Sequence, residues 1–580
     1  MGKQVLPVHD RKTPKTEGRK KLYGGVFYML FPMMFGISAV IFIIGYIVYG
    51  RFMANVYGLS DTNETPAVKF EDGIDYCPAH PAVLLGHHFA SIAGAGPITG
   101  PIAAAMKFGW LPTILWCVIG STFLGGPHDM GALVASLRHD GQSIGAVVEK
   151  WIGKTGKFLF LSFTILTLIL VVAVFLVMSA GTFAADPVVA FVSTLYIVLA
   201  IIAGFMIYRW HVPLWVVTIV MLALIVGGCV KVNAETAPWL INTVFAHDIN
   251  FWNAFLGVYI FFASILPVWM LLQPRDYLAS YFLYFAVIVG AYGMFAGSAL
   301  DSKTVSVVAA NVRYFGFSSS AMWPAMFVLV ACGAISGFHS LVGSGTTSKQ
   351  LRKEKDAVLV GYGAMLIEGL VAVISIGTLM VIGLEGAKGL SPVQIFSLGF
   401  GKFSTLVGLD ATFGARLGAI AINSFLLTSL DTATRLARYQ VQEITGGKVS
   451  MYPATIFVIV LALCLVYTKT HDVSGKVIAA WLAIWPIFGA ANQMVAALSL
   501  LSIAAWVKLG LKKKHTFVYA PFWFMLVTTV FSLIIEVKER FAVAQPNYLL
   551  SSLAVILIVL GIAMSIAGIR TMHSSEKQSA

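Results

Sequence analysis

The sequence is poor in charged residues and has no segment long enough to form a soluble domain. Of its 580 residues only 11% are Asp, Glu, Lys or Arg, whereas an average soluble domain carries about 25%. Hydrophobic residues make up 58%. A chain with so few charges cannot cover a surface that faces water, so a water-soluble enzyme is excluded. The composition predicts an all-α polytopic membrane protein.

Other missing features narrow the function further. The five cysteines form no C-x-x-C pair, so no disulfide framework or zinc module is predicted, and we interpret them as small buried hydrophobes. The sequence contains no H-E-x-x-H motif of a metalloprotease and no G-x-x-x-x-G-K-[ST] loop for ATP. We therefore expect no enzyme, no cofactor and no metal site, and no direct use of ATP.

The 39 basic and 26 acidic residues give a net charge of +13. A nucleic-acid partner would require a basic folded domain with interleaved aromatic residues, which is missing. Basic residues instead mark cytoplasmic loops of a membrane protein. We expect residues 1–24, 349–355 and 512–514 to be cytoplasmic and the acidic segment 51–81 to be periplasmic. The basic loop 138–157 conflicts with this topology, because three single crossings would place it outside.

A helix needs about 20 apolar residues to cross a bilayer. By this rule about 15 to 18 helices are expected, and we interpret 476–509 as two short helices, because Pro486 and Gly489 interrupt it. Segment 394–409 is a further short or interfacial candidate. The other candidate spans are 25–49, 82–105, 110–136, 157–182, 187–209, 212–232, 251–272, 277–297, 321–345, 357–383, 412–430, 453–468, 516–535 and 548–569.

We divide the chain into four parts. Residues 1–24 form a basic arm, and 25–81 a first helix with an acidic loop. Residues 82–440 form the core, and 441–580 carry further helices and a short tail.

Several spans are interrupted by Gly, Pro and polar residues, as in transporters that bind substrate at broken helices. The first interruption is GHHFASIAGAGPITGP, residues 86–101. Freed amides near Gly94 and Gly96 can bind a carboxylate, although Gly-Ala-Gly also permits close helix packing. His87 and His88 are candidate substrate-binding residues. Because adjacent residues point in different directions on a helix, a structural or proton-relay role is favoured over metal ligation.

Two further interruptions carry polar groups. In residues 266–277, Arg275 and Asp276 form either a substrate clamp or an interfacial pair that caps the next helix. Residues 332–348 contain His339 and the hydroxyls of Ser344, Thr346 and Thr347. These hydroxyls suit a hard monovalent cation or hydrogen bonds between helices.

A polar stripe formed by Ser424, Thr428, Asp431, Arg435 and Arg438 shares one helical face. Asp431 and Arg435 have the spacing of an i, i+4 pair. If the pair is buried it is a candidate proton switch, and if it lies at the cytoplasmic end it is a solvated salt bridge.

The last candidates lie in two apolar segments. Glu368 is isolated in the run 357–383, which makes it a candidate proton carrier. Asn492 and Gln493 follow the interruption at Pro486 and Gly489, where their amides suit neutral hydrogen bonds in a pocket.

Six segments in this order resemble the blocks of the carbon starvation protein A (CstA) family: GHHFASIAGAGPITGP, LPVWMLLQPRDYL, CGAISGFHSLVGSGTTSKQL, GYGAMLIEG, LLTSLDTATRLARYQ and WPIFGAANQMVAAL. They fall between Gly86 and Leu498, about three quarters of the chain, and six long blocks in order are far more specific than one short motif. The resemblance implies a nutrient importer of the inner membrane, associated with uptake of peptides or, in relatives, of pyruvate with protons.

The order of the spans predicts two inverted five-helix repeats with broken leading helices, at 82–105 and at 251–272. This arrangement looks like the LeuT architecture, with extra helices at both ends.

These observations predict a secondary active transporter that imports carboxylate-bearing nutrients with a cation. Titratable residues at membrane depth (His87, His88, His339, Glu368 and Asp431) favour protons over sodium, which the hydroxyl cluster would bind. The expected partners are the substrate, the cation and the lipid bilayer, and no oligomeric state is predicted. The alternatives are a passive channel and a sensor of nutrient state.

Overall fold

The computed structural model describes residues 31–73, 76–232, 235–267, 269–296, 307–309, 312–330, 332–471, 477–542 and 547–579. The basic arm 1–24 lies outside the described residues. The described part is almost entirely helical, because a spanning segment must satisfy its backbone hydrogen bonds internally. The prediction of an all-α polytopic membrane protein is confirmed.

The helices are, in chain order, α1 (Phe31–Tyr57), α2 (Pro81–Ile92), α3 (Gly96–Phe108), α4 (110–137), α5 (Ile144–Trp151), α6 (Lys154–Ala185), α7 (Pro187–Tyr208), α8 (Leu214–Lys231), α9 (Ile249–Ile265), α10 (Leu272–Ala296), α11 (Met322–Leu329), α12 (Gly337–Gly345), α13 (Glu354–Ala387), α14 (Pro392–Thr405), α15 (Ala411–Ile444), α16 (Met451–Tyr467), α17 (Ala480–Gly510), α18 (Thr516–Phe541) and α19 (Tyr548–Ser579). Short helical turns lie at Pro66–Lys69 and Leu240–Val244. The strands are β1 (Arg313–Phe315), β2 (Thr470–His471) and β3 (Val477–Ile478), and β2 pairs antiparallel with β3.

Ten helices in the described part are long and apolar enough to cross a membrane, and α2 with α3 forms an eleventh span that bends by 47°. The described part also contains two shorter apolar helices, α9 and α16. It thus holds ten or eleven candidate spans and these two helices, where the sequence predicted about 15 to 18.

The order of elements occurs twice along the chain. A broken helix (α2 and α3), a helix (α4), a short helix (α5) and a 32-residue helix (α6) recur as α11 with α12, α13, α14 and the 34-residue α15. Helix α3 packs on α13 and α14, while α12 packs on α4 and α5, and the two long helices pack on each other. This exchange of partners is expected of an internal repeat with broken leading helices. Helix α1 precedes the repeats, and α18 and α19 follow them.

The expected start of the second repeat was wrong. Segment 251–272 is not a broken span, because α9 runs without interruption to Ile265 and residues 266–271 connect it to the separate span α10. Pro274 falls in the first turn of α10, where a missing N–H group costs little. The second broken span is instead formed by α11, which ends at Leu329, and α12, which begins at Gly337.

Segment 476–509 also differs from expectation. Its described part forms one helix, α17, rather than two short ones. Pro486 lies in the second turn, close enough to the helix N-terminus for the helix to continue. Arg540 of α18 donates to the carbonyl of Ala483 in the same turn.

One end of the bundle, here called the basic face, joins loops that were expected on opposite sides. Glu354 accepts hydrogen bonds from Ser60 N at 2.9 Å and from Arg138 Nη2 at 3.0 Å. Lys513 donates to the carbonyl of Asn55 at 3.2 Å. The acidic segment 51–81 therefore lies on the same face as loops 138–157, 349–355 and 512–514, and a periplasmic location for it alone was wrong.

Helix α1 runs from the opposite face to the basic face. Phe35 packs edge-on against Phe295 at the far end of α10, with ring centroids 5.2 Å apart, while Tyr57 stacks on Trp506 at 5.6 Å. The start of α1 and loop 349–355 thus lie on opposite faces of the bundle.

Candidate functional site

A buried charge network lies where α10 meets α15. Arg275 and Asp276 occupy the first turn of α10, and Asp431 lies in the middle of α15; all three are fully buried. Arg275 Nη1 contacts the carboxylate of Asp431, and its Nη2 lies 2.8 Å from Asp276 Oδ1. Arg275 and Asp276 are therefore not interfacial charges that cap a helix at the membrane surface.

Two more side chains complete the Arg275 network. The hydroxyl of Tyr259, on α9, donates to Asp431 Oδ2 at 2.6 Å and accepts from Arg275 Nη1 at 3.0 Å. His87 Nδ1, on α2, lies 3.3 Å from Asp276 Oδ2. Two carboxylates thus share one guanidinium inside the protein, where an unpaired charge would be strongly destabilising.

The expected pair of Asp431 and Arg435 is not formed. Asp431 is bound to Arg275, and Arg435 and Arg438 instead donate hydrogen bonds of 2.5 to 2.9 Å to carbonyls at the C-terminal end of α9. The last carbonyls of a helix have no intrahelical partner and attract cations. The i, i+4 spacing permitted Asp431 to pair with Arg435, but the carbonyls at the end of α9 are the acceptors that Arg435 binds.

A second buried cluster joins α4, α12 and α13. Asp129 Oδ1 lies 2.6 Å from His128 Nδ1, and Asp129 Oδ2 lies 2.7 Å from His339 Nδ1. The other ring nitrogen of His339, Nε2, lies 3.2 Å from Glu368 Oε2. Glu368, which is isolated in the sequence, therefore has His339 as a neighbour.

The break between α11 and α12 is held by the amides of α17. Asn492 accepts a hydrogen bond from Phe338 N at 2.9 Å and donates to Ser336 Oγ at 3.0 Å. Gln493 donates to the carbonyls of Phe327 and Val330 at 2.6 and 3.2 Å. Both amides therefore satisfy backbone and side-chain groups of the broken helix.

The break between α2 and α3 is closely packed. A Cβ atom at Gly94 would lie 2.6 Å from Ser429 Oγ, and one at Gly96 would lie 2.2 Å from Cys332 Sγ. Close packing is thus one role of both glycines. Binding of a carboxylate by the amides beside them remains a prediction.

The predicted hydroxyl cluster is hydrogen-bonded within the protein. Ser344 Oγ donates to the carbonyl of Ser340 at 2.6 Å, and Thr346 Oγ1 to that of Val342 at 3.0 Å. Thr347 Oγ1 lies 2.8 Å from His88 Nδ1. Binding of a cation by these hydroxyls stays a prediction, and His88 lies apart from the Asp276 contact of His87.

Two cavities reach towards the Arg275 network from the basic face. A 40 Å³ cavity is lined by His87, Gln273 and Arg435 and shares residues with a 450 Å³ cavity lined by Lys349 and Glu443. The smaller one has room for about one water molecule. A third cavity, of 520 Å³, lies towards the opposite face beside Asp186 and Arg416. Access to the network is therefore narrow in this conformation.

Sequence reasoning missed three members of these two clusters, Asp129, His128 and Tyr259. Asp129 and His128 carry a detectable signal, because an ionisable side chain at membrane depth is a functional candidate by default. Tyr259 is one aromatic residue in an apolar helix and has no signal in a single sequence.

Broken helices that bring buried charges together inside a helical bundle define the class of polytopic membrane transporters. The profile of the carbon starvation protein CstA family matches residues 32–390 and 385–532. The chain belongs to the CstA family, as its six sequence blocks indicated.

Named relatives include two kinds of transporter. The peptide transporter CstA of Campylobacter jejuni is 32% identical over 85% of this chain and 78% of its own, and that of Bacillus subtilis is 30% identical over 92% and 95%. The pyruvate/proton symporter BtsT of Escherichia coli is 28% identical over 85% of this chain and 80% of its own.

Solved structures with similarity include a manganese transporter of Eremococcus coleocola, with 14% identity, a TM-score of 0.43, and coverage of 86% of this chain and 94% of that one. MhsT in complex with L-phenylalanine has 14% identity and a TM-score of 0.42, over 83% and 99% of the two chains.

Proposed function

We propose that the protein imports carboxylate-bearing nutrients, peptides or pyruvate, together with protons across the inner membrane. The observation that carries this proposal is the buried Arg275 network, in which one guanidinium is shared by two carboxylates. Arg binds carboxylates through paired, charge-assisted hydrogen bonds. Peptides and pyruvate, named for the relatives, both carry such a group.

The network suggests how a substrate is coupled to a proton. A substrate carboxylate that binds Arg275 displaces Asp431, which then takes up a proton because a buried carboxylate without a cation is costly to keep ionised. The charge of the network is the same before and after this exchange. Tyr259 is placed to donate to Asp431 in its ionised form, and Asp276 stays between Arg275 and His87.

Coupling of this kind solves an energetic problem. A carboxylate that enters a negative-inside cell is opposed by about 2.3 kcal/mol per charge per 100 mV. For an anion such as pyruvate, one proton per molecule makes transport electroneutral, so that the pH gradient drives accumulation.

The orientation that fits the charges places the basic face in the cytoplasm, since cytoplasmic loops are enriched in Lys and Arg. In this orientation all three basic loops, 138–157, 349–355 and 512–514, lie in the cytoplasm. The position of loop 138–157 then no longer conflicts with its basic charge. The start of α1 would face the periplasm. Modification of single cysteines introduced at Lys353 and at Glu385, by a reagent that does not cross membranes, tests this orientation.

Uptake into proteoliposomes tests the function. We expect accumulation of labelled pyruvate or dipeptide against its gradient when the outside is acidic, no loss when choline replaces sodium, and collapse with a protonophore. A channel would equilibrate the substrate without accumulation, and a sensor would not transport it. Dependence on sodium would move coupling away from the Arg275 network.

The Asp431→Asn variant tests the site. The amide resembles the protonated carboxyl group, so we expect substrate exchange across the membrane to remain while proton-driven accumulation is lost. Asp410→Asn is the matched control, because Asp410 lies exposed at the N-terminus of the same helix. Wild-type accumulation by Asp431→Asn would reject the mechanism.

A further inference from the structure

A buried cluster of three metal-ligand side chains lies beside the interruption of the second broken helix. The ligand atoms of Cys332, His339 and Glu368 all lie within 4.8 Å of one another. The side chains come from the break itself, from the first turn of α12 and from α13, and each residue is at most 4% exposed. Three separate parts of the chain thus bring a thiol, an imidazole and a carboxylate to one point.

Three of the polar atoms at this point lack hydrogen bonds. His339 Nε2 and both oxygens of Glu368 are buried without a hydrogen-bond partner among the residues that the structure describes. A buried polar group without a partner costs about 1–3 kcal/mol. When the proton of neutral His339 is on Nδ1, the lone pair of Nε2 faces the carboxylate of Glu368 at 3.2 Å. A cation between these atoms would supply a partner to His339 Nε2 and to the carboxylate of Glu368, and would so remove the cost of burying them unpaired.

The neighbours of the cluster resemble the outer shell of a metal site. Asp129 Oδ2 lies 2.7 Å from His339 Nδ1, so it fixes the proton there and directs Nε2 at the cluster. Metal-bound histidines usually carry a carboxylate or carbonyl on their second nitrogen in this way. Asn492 Nδ2 lies 3.8 Å from Cys332 Sγ, where its N–H group can donate to a thiolate.

We propose that Cys332, His339 and Glu368 bind one transition-metal ion of the zinc type. Thiolate, imidazole and carboxylate are the three ligand types of Zn²⁺, and a site with three protein ligands leaves a fourth position for water. Tetrahedral zinc places its ligand atoms about 3.5 Å apart. The ligand atoms lie within 4.8 Å of one another, so shifts of about one ångström would bring them to that spacing.

The position of the site gives it a consequence for transport. A Cβ atom at Gly96 would lie 2.2 Å from Cys332 Sγ, so the first broken helix touches the sulfur ligand directly. A bound ion links the second break to α13, while the first break packs against the same cysteine. A bound Zn²⁺ would therefore hold the two breaks in one arrangement.

Metal binding to the purified full-length protein tests the site without measuring transport. The background is Cys77→Ala/Cys464→Ala, which removes the two cysteines that are not buried. After treatment with a chelator, we expect one Zn²⁺ per chain by calorimetry and a thiolate-to-cobalt charge-transfer band with Co²⁺. We also expect Zn²⁺ to raise the melting temperature.

Variants assign the ligands. We expect Cys332→Ser to abolish the cobalt band and Glu368→Gln to weaken Zn²⁺ binding at least tenfold. Asp129 orients His339 but is not a ligand. Asp129→Asn should therefore weaken Zn²⁺ binding by about 10- to 100-fold and keep the cobalt band. Cys229→Ala, at a buried cysteine of α8, is the matched control and should keep both.

A background protein that gives no thiolate band with Co²⁺ overturns the proposal, even if a variant fails to fold. So does binding that is unchanged in Cys332→Ser. The first outcome excludes a metal ion at the cluster, and the second excludes Cys332 as its ligand. Neither outcome bears on the Arg275 network, which these measurements do not involve.

Discussion

The hydroxyl of Tyr259 donates to Asp431 at 2.6 Å and accepts from Arg275 at 3.0 Å, so one tyrosine bridges both partners of a buried ion pair. Tyr259 belongs to α9, whereas Arg275 and Asp431 belong to α10 and α15. Three helices are thereby joined at one hydrogen-bonded point. A movement of α9 relative to the other two would break this bridge.

Removing this hydroxyl tests the bridge. In Tyr259→Phe, Asp431 loses a hydrogen bond to a charged group, worth about 1.5–3 kcal/mol. We expect proton-driven uptake to fall about tenfold or more and to become less sensitive to the imposed pH gradient. Tyr292→Phe in the half-exposed part of α10 is the control and should transport normally. Equal transport by both variants would show that the hydroxyl is dispensable.

The charge balance of the network predicts compensation between two variants. Arg275→Gln leaves Asp276 and Asp431 without their shared cation, which we expect to cost about 3–5 kcal/mol of folding free energy. In Arg275→Gln/Asp431→Asn one of the two unpaired charges is gone, so the apparent melting temperature should rise again. Neither variant should accumulate substrate. A double variant that melts below Arg275→Gln would contradict the assigned pairing.

The close approach of the two broken helices predicts intolerance at Gly96. In Gly96→Ala the new methyl group would lie 2.2 Å from Cys332 Sγ, so the break must open or α3 must shift. Overpacking of this kind costs about 1–3 kcal/mol. We expect a lower melting temperature and loss of uptake. Gly227→Ala in α8 is the control, because nothing lies within 4 Å of its added carbon; it should be stable and active.

A pH dependence of stability is expected at the basic face. Burial lowers the pKa of His139, in the loop after α4, and that side chain is 7% exposed. Its Nδ1 donates to the carbonyl of Ala135 at 2.6 Å, and its Nε2 accepts from Trp151 Nε1 at 2.9 Å. Protonation of Nε2 would break the second bond, so the folded state favours neutral histidine.

The sign of this effect follows from the lowered pKa of His139. Below about pH 6.5 the unfolded chain binds a proton at this residue that the folded state resists, so stability falls as the pH is lowered through this range. We expect the melting temperature of the wild type to fall between pH 7.5 and about pH 5.5, and His139→Gln to lose part of this dependence. An identical pH profile for the variant would exclude His139 as the cause.

The sequence by itself determined the class and family of this protein. The low charge and the long apolar runs predict a helical membrane protein, because a helix satisfies all backbone hydrogen bonds within such a segment. Gly94, Pro97 and their neighbours marked the first broken helix, and six ordered blocks indicated the family. The isolated charges Arg275, Glu368 and Asp431 were recognisable because a charge at membrane depth is costly.

The tertiary structure alone decided which of these charges meet. Spacing allowed Asp431 to pair with Arg435, but helix packing placed Arg275 next to Asp431 and the end of α9 next to Arg435. Pro267 and Pro274 lie near the connection between two spans. The second break lies between α11 and α12, where the amides of α17 replace the missing helical hydrogen bonds. Such contacts depend on the relative positions of helices that are distant in sequence. Those positions cannot be predicted from the local composition of each helix.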